Sequence, residues 1–394
     1  MNTFINSRFA VSLIFAINGM VFGTWASRIP AIVDFHNLSP GSLGLLIFLS
    51  GLSAVIAFSV FGRAADRYGA AFITKRATIL LIPLTLIFIA FANSIWMLVF
   101  AVMFFGAIHG GDDVAMNAWA AEVERQYKRP VMSSFHAMWS LGAGIGAGLG
   151  SILAFHDVGY KDHFSLISIV IFFLALIVAF VPFESQKNKK VTKSPFISIP
   201  KGALLPVATI TFFASLSEGA VADWSAIFLK SVASLNDGNA ALGFTVFSIC
   251  MFSMRLMGDK ISFKLGPSTA ARYSGLVALT GSIILLISDS FFLLLLGFGL
   301  IGLGIAVIIP LAFSRAGNDK TISQGTAIAS IATLGYGGML LGPLFLGLLA
   351  EITSIKTSFI ILPIMAFFIF NLSKHLSLNS EAVSYTHLTL PTKA

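Results

Sequence analysis

Apolar residues recur along this chain in twelve long runs separated by short polar stretches. Each run approaches the roughly 20 residues that an α-helix needs to cross the hydrocarbon core of a bilayer. The sequence therefore predicts an all-α integral membrane protein with twelve transmembrane helices. The predicted spans are Phe9–Ile29, Ser42–Gly62, Phe72–Ala92, Ile95–Trp119, Ser133–Leu153, Phe164–Pro182, Ala203–Phe228, Leu242–Ile261, Ser268–Ile287, Phe291–Phe313, Gly325–Ala350 and Thr357–Leu372.

The composition supports a membrane location. Of the 394 residues, 57% are hydrophobic and 11% are charged, which is more apolar surface than a soluble protein of this length buries. The single cysteine, Cys250, excludes an intrachain disulfide. The first apolar run is too long for a cleavable signal and lacks a small-residue cleavage site, so we expect it to remain as a helix.

One polar, basic segment divides the apolar runs into two sets of six. Residues 184–201 contain Pro195 and Pro200 and predict a cytoplasmic linker between an N-terminal six-helix bundle, 1–183, and a C-terminal one, 202–376. The tail, 377–394, is polar and aperiodic. Its end resembles read-through into non-native sequence, and a native disordered tail is the alternative.

The basic residues predict the orientation. With a cytoplasmic N-terminus, only Arg28, Lys161, Lys230 and Lys356 fall on the outer side, and the other lysines and arginines fall inside. Short loops with this asymmetry place both termini in the cytoplasm. The net charge of +8 is explained in this way, so we expect no nucleic-acid partner.

The two sets of spans resemble each other. Span one carries Asn18-Gly19 followed by Trp25, and span seven carries Glu218-Gly219 followed by Trp224. Spans five and eleven are both rich in glycine, and we expect the glycines of span five to pack against neighbouring helices. Two six-helix repeats joined by a linker are typical of transporters whose halves rock against each other.

The fourth span holds the strongest candidate site. At helical spacing His109, Asp113 and Asn117 share a stripe, beside Gly106 and Gly110. A charge at the bilayer centre costs roughly 2.5–3.5 kcal/mol, so such residues normally face a bundle interior or a water-filled cavity. We predict that Asp113 accepts a proton, with His109 relaying it or holding the carboxylate. The alternative is that Asp113 and Asn117 only link helices by hydrogen bonds. Asp112 lies about 100° round the helix, so we expect a structural role for it.

Spans one and seven supply further candidates. Glu218 and Asp223 lie about 140° apart on an ideal helix, so we expect either a break near Gly219 or only one inward acid, with Glu218 preferred as a proton-coupling group. In span one, Asn18, Trp25 and Arg28 share a stripe. We predict that Asn18 and Trp25 bind substrate and that Arg28 pairs with Asp34 or Asp223 as a gate. Ligand binding by Arg28 is the alternative.

Span five predicts a polar and aromatic wall. His136, Trp139 and Ser140 lie at i, i+3 and i+4, and an aromatic ring with nearby amides and carboxylates is a common way to bind a polyol. Together with Asn117 they complete the predicted substrate-binding set. The alternative for Trp139 is packing against lipid or a neighbouring helix.

The loop Gly62–Gly69, GRAADRYG, resembles the hallmark loop of the major facilitator superfamily, although Ala70 and Ala71 stand where basic residues are usual. We expect Asp66 and Arg67 to pair with the ends of neighbouring helices and to latch the cytoplasmic face when it is closed. Arg255 and Asp259, four residues apart, are expected to form a second latch. Within the superfamily the chain is most similar to YbjJ-like inner-membrane transporters near the fucose permease group. The segments that carry this likeness are Asp113–Asn117 with Glu122, Phe135–Gly142, Glu218-Gly219 with Asp223–Ser225, Gly335-Tyr336 with Gly342-Pro343, and Trp25–Pro30. The resemblance implies that Asp113 takes part in proton coupling.

Signals for other chemistry are absent from the sequence. It has no P-loop, no HExxH, no cluster of histidine and cysteine ligands and no GxSxG, so we expect neither an enzyme nor a bound cofactor or metal. Energy for accumulating a solute must then come from an ion gradient, and a proton gradient is implied. We predict a monomeric, multi-pass transporter of the bacterial inner membrane that moves a small polar solute, favouring proton symport of a sugar-like metabolite. A proton-coupled exporter of drug-like compounds and a non-transporting receptor or scaffold are the alternatives.

Overall fold

The computed structural model describes residues 2–127, 131–185, 199–319 and 324–377, and every regular element in these ranges is a helix. Twelve of the helices or helix assemblies are long and apolar enough to cross a membrane, which confirms the predicted fold class. They are α1 Asn2–His36, α2 Pro40–Tyr68, α3 Ala70–Ala90, α4 Ile95–Tyr127, α5 Met132–Phe155, α6 Tyr160–Ala179, α7 Leu204–Val232, α8 Asp237–Leu265, α9 Pro267–Ile287, α10 Phe291–Gly317, α11 Gln324–Ile352 and α12 Ile355–Leu376.

Three of these helices are interrupted. α3 contains a π-helical turn at Ala77–Leu81, α10 is broken between Ile305 and Ile308, and α12 is broken between Ser358 and Ile361. A π turn changes the register of the side chains that follow it, and such turns are frequent at functional sites. Nothing in the hydrophobic pattern indicates any of these interruptions.

The helices pair in the same way before and after the predicted linker. In the N-terminal half, α1–α6, the main pairs are α1 with α5, α2 with α4, and α3 with both α4 and α6. In the C-terminal half, α7–α12, they are α7 with α11, α8 with α10, and α9 with both α10 and α12. Gly69 and Gly266 also occupy the same junction in each half and have φ of 99° and 80°, which glycine adopts at little cost. Because the same pairs recur in both halves, the internal repeat of the sequence is also a repeat of the structure.

The contacts between paired helices correct the expected alignment of the repeats. A Cβ atom on Gly23 of α1 would meet the carbonyl oxygen of Ala143 on α5, and one on Gly219 of α7 would meet that of Met339 on α11. Gly142 likewise packs on Ala16 as Gly338 packs on Phe212.

Gly219 therefore corresponds to Gly23, and Glu218 corresponds to Phe22. The equivalence of Asn18-Gly19 with Glu218-Gly219 is wrong by one turn of helix, because similar letters at helical spacing do not distinguish one turn from the next.

The halves meet along two seams, α5 with α8 and α2 with α11. One face of the molecule carries the α1–α2, α5–α6 and α7–α8 connections, and we call it the connection face. There Lys230 forms ion pairs with Asp34 of α1 and with Asp237, the latter at 2.9 Å. Ser151 Oγ donates to the Gly238 carbonyl oxygen at 2.6 Å, and the Gly41 N–H donates to Glu351 at 2.8 Å. These contacts hold the halves together at the connection face.

The predicted division at 184–201 stays a prediction, since residues 186–198 lie outside the described ranges. The same holds for 378–394 in the predicted tail.

Candidate functional site

A cavity of about 310 Å³ lies between the halves. Its walls come from α1, α2, α4 and α5 on one side and from α7, α8, α10 and α11 on the other, whereas α3, α6, α9 and α12 do not reach it. A concave space at the interface of two repeat units is where transporters of this architecture hold their solutes. It is therefore the candidate site.

The α4 wall carries the predicted stripe. Both His109 and Asp113 line the cavity. A Cβ atom on Gly106 would lie 2.1 Å from the Ser50 carbonyl oxygen, and one on Gly110 would lie 2.6 Å from Ala54 Cβ. The two glycines therefore allow α2 to approach α4 closely.

Asp113 is half-buried and is held by its own helix. Asn117 Nδ2 donates to Asp113 Oδ1 at 3.1 Å and to the Asp113 carbonyl oxygen at 2.8 Å. Among the described residues no lysine or arginine forms an ion pair with Asp113. Asn117 is not on the cavity wall, so in this conformation it positions the carboxyl group and does not face a solute.

His109 lies between two aromatic rings. Its ring is parallel to Phe105 at a centroid distance of 5.3 Å and tilted against Phe22 at 5.6 Å. Its Nδ1 atom is buried without a hydrogen-bond partner in the described part of the chain. A proton relay from His109 to Asp113 stays a prediction.

Arg255 of α8 joins the two halves inside the cavity. Its guanidinium donates to Ser140 Oγ at 2.6 Å and to the His136 carbonyl oxygen at 3.3 Å, both on α5. The second terminal nitrogen of the guanidinium, Nη2, lies 3.4 Å from Glu218 Oε1 on α7.

The predicted latch between Arg255 and Asp259 stays a prediction, because the side chain of Asp259 lies outside the described part of the structure. Among the described residues the Arg255 guanidinium has three oxygen acceptors in the cavity, from His136, Ser140 and Glu218.

Both acids of α7 line the cavity, so the expectation of a helix break or a single inward acid is wrong. The helix is continuous and packs against α1, α8 and α11. Residues on more than one of its sides nevertheless line the cavity. Asp223 is buried beside the Trp25 side chain, and Trp25 packs on Phe105 with ring centroids 5.6 Å apart.

The α1 candidates separate into two groups. Trp25 lines the cavity, but Asn18 is 0% exposed behind the wall and accepts a hydrogen bond from Trp139 Nε1 at 2.9 Å. Arg28 is 3% exposed and donates to His163 Nδ1 at 3.0 Å and to the Val158 carbonyl oxygen at 2.9 Å.

Arg28 therefore pairs with neither Asp34 nor Asp223, because its side chain turns into its own half. Lys230 takes Asp34 instead. From the sequence Lys230 is only one of four outer cations, and no local pattern indicates Asp34 as its partner.

The α5 wall is partly as predicted. His136 and Trp139 line the cavity, with Trp139 against Phe22 at a centroid distance of 5.7 Å. Ser140 is buried behind them and binds Arg255.

In the hallmark loop Asp66 and Arg67 are exposed. The Arg67 guanidinium lies 5.1 Å from the centre of the Tyr68 ring, and no ion pair of either residue is formed within the described ranges. Their latch function stays a prediction.

Tyr336 of α11 is a site residue that the reasoning from residues missed. Its ring contacts Phe58 of α2 at 4.9 Å, and it lies within electrostatic range of Asp113. Only the family resemblance had drawn attention to it. Among the described residues no group of three or more histidine, cysteine, aspartate or glutamate side chains is placed to hold a metal ion.

Comparison with known proteins agrees with this architecture. The model of the Major Facilitator Superfamily matches residues 11–336. An uncharacterized transporter of Sinorhizobium fredii is 38% identical over 89% of this chain and 93% of its own length. An uncharacterized MFS-type transporter of Yersinia pestis is 31% identical over 90% of this chain and 92% of its own. The crystal structure of the nucleoside transporter NupG superposes with a TM-score of 0.69 at 13% identity, covering 95% of this chain and 98% of that one, which shows a shared fold.

Proposed function

The chain belongs to the major facilitator superfamily and is a membrane transporter of that class, and from this premise we propose that it carries a small polar solute across the membrane by alternating access, coupled to protons. A sugar-like metabolite moved by symport is the leading assignment.

The observation that carries this proposal is the Asp113 carboxyl on the cavity wall. It lies at membrane depth and has Asn117 as its hydrogen-bond partner, with no cation beside it in the described structure. Ionisable groups inside a membrane bundle are expensive and usually functional. An acid without a cation neutralises itself most simply by taking a proton, so Asp113 is the proposed coupling group.

Glu218 differs because it already has a partner. Arg255 holds it from the same half and simultaneously holds Ser140 from the other half. Protonation of Glu218, or a solute that competes for the guanidinium, weakens this link and lets the halves separate. Glu218 therefore couples the occupancy of the cavity to the seam between α5 and α8.

The wall suits a polyol. Trp25 and Trp139 offer ring faces, and Asp223, Glu218 and His136 offer acceptors for hydroxyl groups. Planar aromatic surfaces combined with a few polar groups give orientation and specificity in an otherwise apolar pocket.

The membrane placement is also part of the proposal. Twelve spans return the chain to the side from which it started, and the asymmetry of lysine and arginine assigns that side to the cytoplasm of a bacterial cell. The connection face is then periplasmic, and the Lys230 ion pairs close it. We propose that the protein acts as a monomer, with the proton gradient as its energy source.

Export of drug-like compounds is the second candidate. Phe22, Phe58, Phe105, Phe313 and Tyr336 make much of the cavity wall aromatic, which also suits a hydrophobic cargo. A receptor or scaffold would bind a ligand without moving it.

Flux into proteoliposomes tests the proposal. A panel of labelled sugars and small acids is offered with and without an imposed proton gradient, to wild type, Asp113→Asn and the control Asp162→Asn, an exposed acid outside the cavity. We expect gradient-driven accumulation in wild type and control, reduced to downhill exchange in Asp113→Asn.

Accumulation that survives Asp113→Asn would overturn the assignment of Asp113. Efflux of a dye that depends on pH, with no uptake of any panel member, would favour the exporter. Ligand binding without flux would favour the receptor.

A further inference from the structure

A line of buried polar groups leads away from the cavity, behind the α5 wall. Trp139 Nε1 donates to Asn18 Oδ1 at 2.9 Å, and Asn18 Nδ2 donates to Asp112 Oδ2 at 3.4 Å. Thr78 Oγ1 lies 3.4 Å from each carboxyl oxygen of Asp112. Asn18 and Asp112 are 0% exposed and Thr78 is 1% exposed, so these groups are closed to bulk solvent.

The available donors are too few for an ionised Asp112. An indole nitrogen only donates, so Trp139 fixes the Asn18 oxygen toward itself and the Asn18 amide group toward Asp112. Thr78 has a single hydroxyl proton, and the Thr74 carbonyl oxygen takes it at 2.8 Å. A carboxylate at Asp112 would therefore accept one bond, from Asn18.

A carboxylic acid satisfies every group in the line. Its O–H donates to Thr78 Oγ1, its carbonyl oxygen accepts from Asn18, and the Thr78 hydroxyl keeps its bond to Thr74. The charges nearby favour the same form. Among the described residues no cation contacts Asp112, and the neighbouring acid Asp113 is within electrostatic range. An unpaired buried charge is far more costly than a buried neutral acid.

We propose that Asp112 remains protonated and that this neutral carboxyl group, acting through Asn18, fixes the Trp139 ring in the wall of the solute cavity. Asp112 is thus a positioning residue, and Asp113, its neighbour in the chain, is the acid that faces the cavity. The Thr78 end of the line lies in the π-helical turn Ala77–Leu81, which helps to place its hydroxyl group opposite Asp112. The inference rests on the proposed function only in treating the cavity as the solute site.

The position of Trp139 provides a test that needs no substrate. The five tryptophans are labelled with fluorotryptophan in detergent-solubilised protein, and the fluorine resonance of Trp139 is assigned with Trp139→Phe. Asp112→Asn keeps a neutral acceptor for Asn18 and a donor for Thr78, so we expect the resonance to stay in place. Asp112→Ala and Asn18→Ala should shift or broaden it. A resonance lost equally in Asp112→Asn and Asp112→Ala would overturn the proposal.

A matched pair on α3 controls for general loosening of the helix. Thr78→Ala removes the acceptor for the acid proton, whereas Thr85→Ala removes a 0% exposed hydroxyl that bonds to the Ile82 carbonyl oxygen elsewhere on the same helix. We expect Thr78→Ala to shift the Trp139 resonance and Thr85→Ala to leave it unchanged. Equal effects of the two would contradict the proposed line.

Infrared spectroscopy tests the protonation state itself. The difference spectrum of wild type minus Asp112→Asn at neutral pH should contain the carbonyl stretch of a protonated carboxylic acid, persisting when the pH is raised. A carboxylate band in its place would overturn the proposal, even if Asp112→Ala fails to fold.

Transport separates this inference from the proposed function. Once a substrate is found, we expect Asp112→Ala to raise KM by roughly tenfold with a smaller change in kcat, because a misplaced ring weakens binding. Failure of the proposed function would leave the two spectroscopic results intact. A change in kcat alone would contradict the positioning role.

Discussion

The α1–α5 pair and the α7–α11 pair are built alike but packed differently. In the N-terminal pair, a Cβ atom on Gly23 would lie 2.0 Å from the Ala143 carbonyl oxygen, and one on Gly146 would lie 2.2 Å from that of Met20. At the corresponding positions of the C-terminal pair, Gly219 would stand 3.6 Å from Met339 and Gly342 would stand 3.1 Å from the nearest Leu216 atom. At this level the backbones of α1 and α5 are therefore in direct contact, whereas α7 and α11 retain some space between them. One turn away both pairs are tight, since a Cβ atom on Gly142 would lie 2.0 Å from the Ala16 carbonyl oxygen and one on Gly338 would lie 2.3 Å from that of Phe212.

The difference in packing between the two pairs parallels the positions of the acidic residues of the cavity. Helix α7, which is less tightly packed at Gly219, carries Asp223 and also Glu218, whose link to Arg255 weakens in the proposed cycle. The tighter pair carries Trp25, His136 and Trp139, whose rings must keep their places. We infer that α1 and α5 move as one rigid unit while α7 adjusts. Alternate glycines of α5 serve two helices, since Gly142 and Gly146 face α1 and Gly144 and Gly148 face α8.

The largest effect is expected when one methyl group is added to the α1–α5 pair, and the same addition to the α7–α11 pair is its counterpart. Gly23→Ala places its Cβ inside the contact radius of a main-chain oxygen. Overpacking typically costs about 1–3 kcal/mol and occasionally more, and we expect the upper end here because the main chain cannot move aside easily. Gly219→Ala adds an ordinary contact. Thermal unfolding in detergent should show a large loss of Tm for the first variant and little change for the second. Equal losses would remove the distinction between the two pairs.

The next effect concerns the polar seam. Arg255→Met leaves Glu218 without its cation, and breaking a buried pair costs about 3–5 kcal/mol. The two side chains are 9% and 17% exposed, so water screens them little. We expect lower stability and at least tenfold slower transport. The double variant Arg255→Met with Glu218→Gln should recover stability but not transport. Recovery of both would show that the pair is only structural.

The aromatic seam is expected to respond more weakly. Tyr336 of α11 contacts Phe58 of α2. Its position in the repeat corresponds to that of Ser140 on α5, which binds Arg255 of α8. Tyr336→Phe keeps the ring contact and removes the hydroxyl group near Asp113, so stability should hold and the pH profile of transport should move. Phe58→Leu is the counterpart that weakens the contact and keeps the hydroxyl group. A pH profile unchanged in Tyr336→Phe would exclude coupling of Tyr336 to Asp113.

The smallest effect is expected at the connection face. Lys230 is 31% exposed and joins Asp34 of the N-terminal half to Asp237 of the C-terminal half. Such partly exposed pairs contribute about 0–1 kcal/mol each. Lys230→Ala should leave Tm within a few degrees. The accessibility of a cysteine introduced at this face should rise, because the face opens more often. Lys356→Ala, which removes a pair within the C-terminal half, is the control. Equal accessibility in both variants would contradict a gating role for Lys230.

Apolar run length determined the fold class, because a membrane-spanning helix must satisfy its own backbone hydrogen bonds and can do so only over a run of this length. The same rule explains why all twelve helices could be predicted. Helical spacing also placed His109 and Asp113 on one wall and turned Asp112 away from it, since these relations lie within a single helix.

Relations between helices were decided only by the tertiary structure. Arg255 binds Glu218 and Ser140, Arg28 binds His163 and pairs with neither Asp34 nor Asp223, and the repeats align Glu218 with Phe22. In each case the sequence showed what a side chain could reach along its own helix, and the acceptor came from another one. The distance between helix backbones fixed which of those acceptors lay near enough to bind. Glycines make this distance small between α1 and α5.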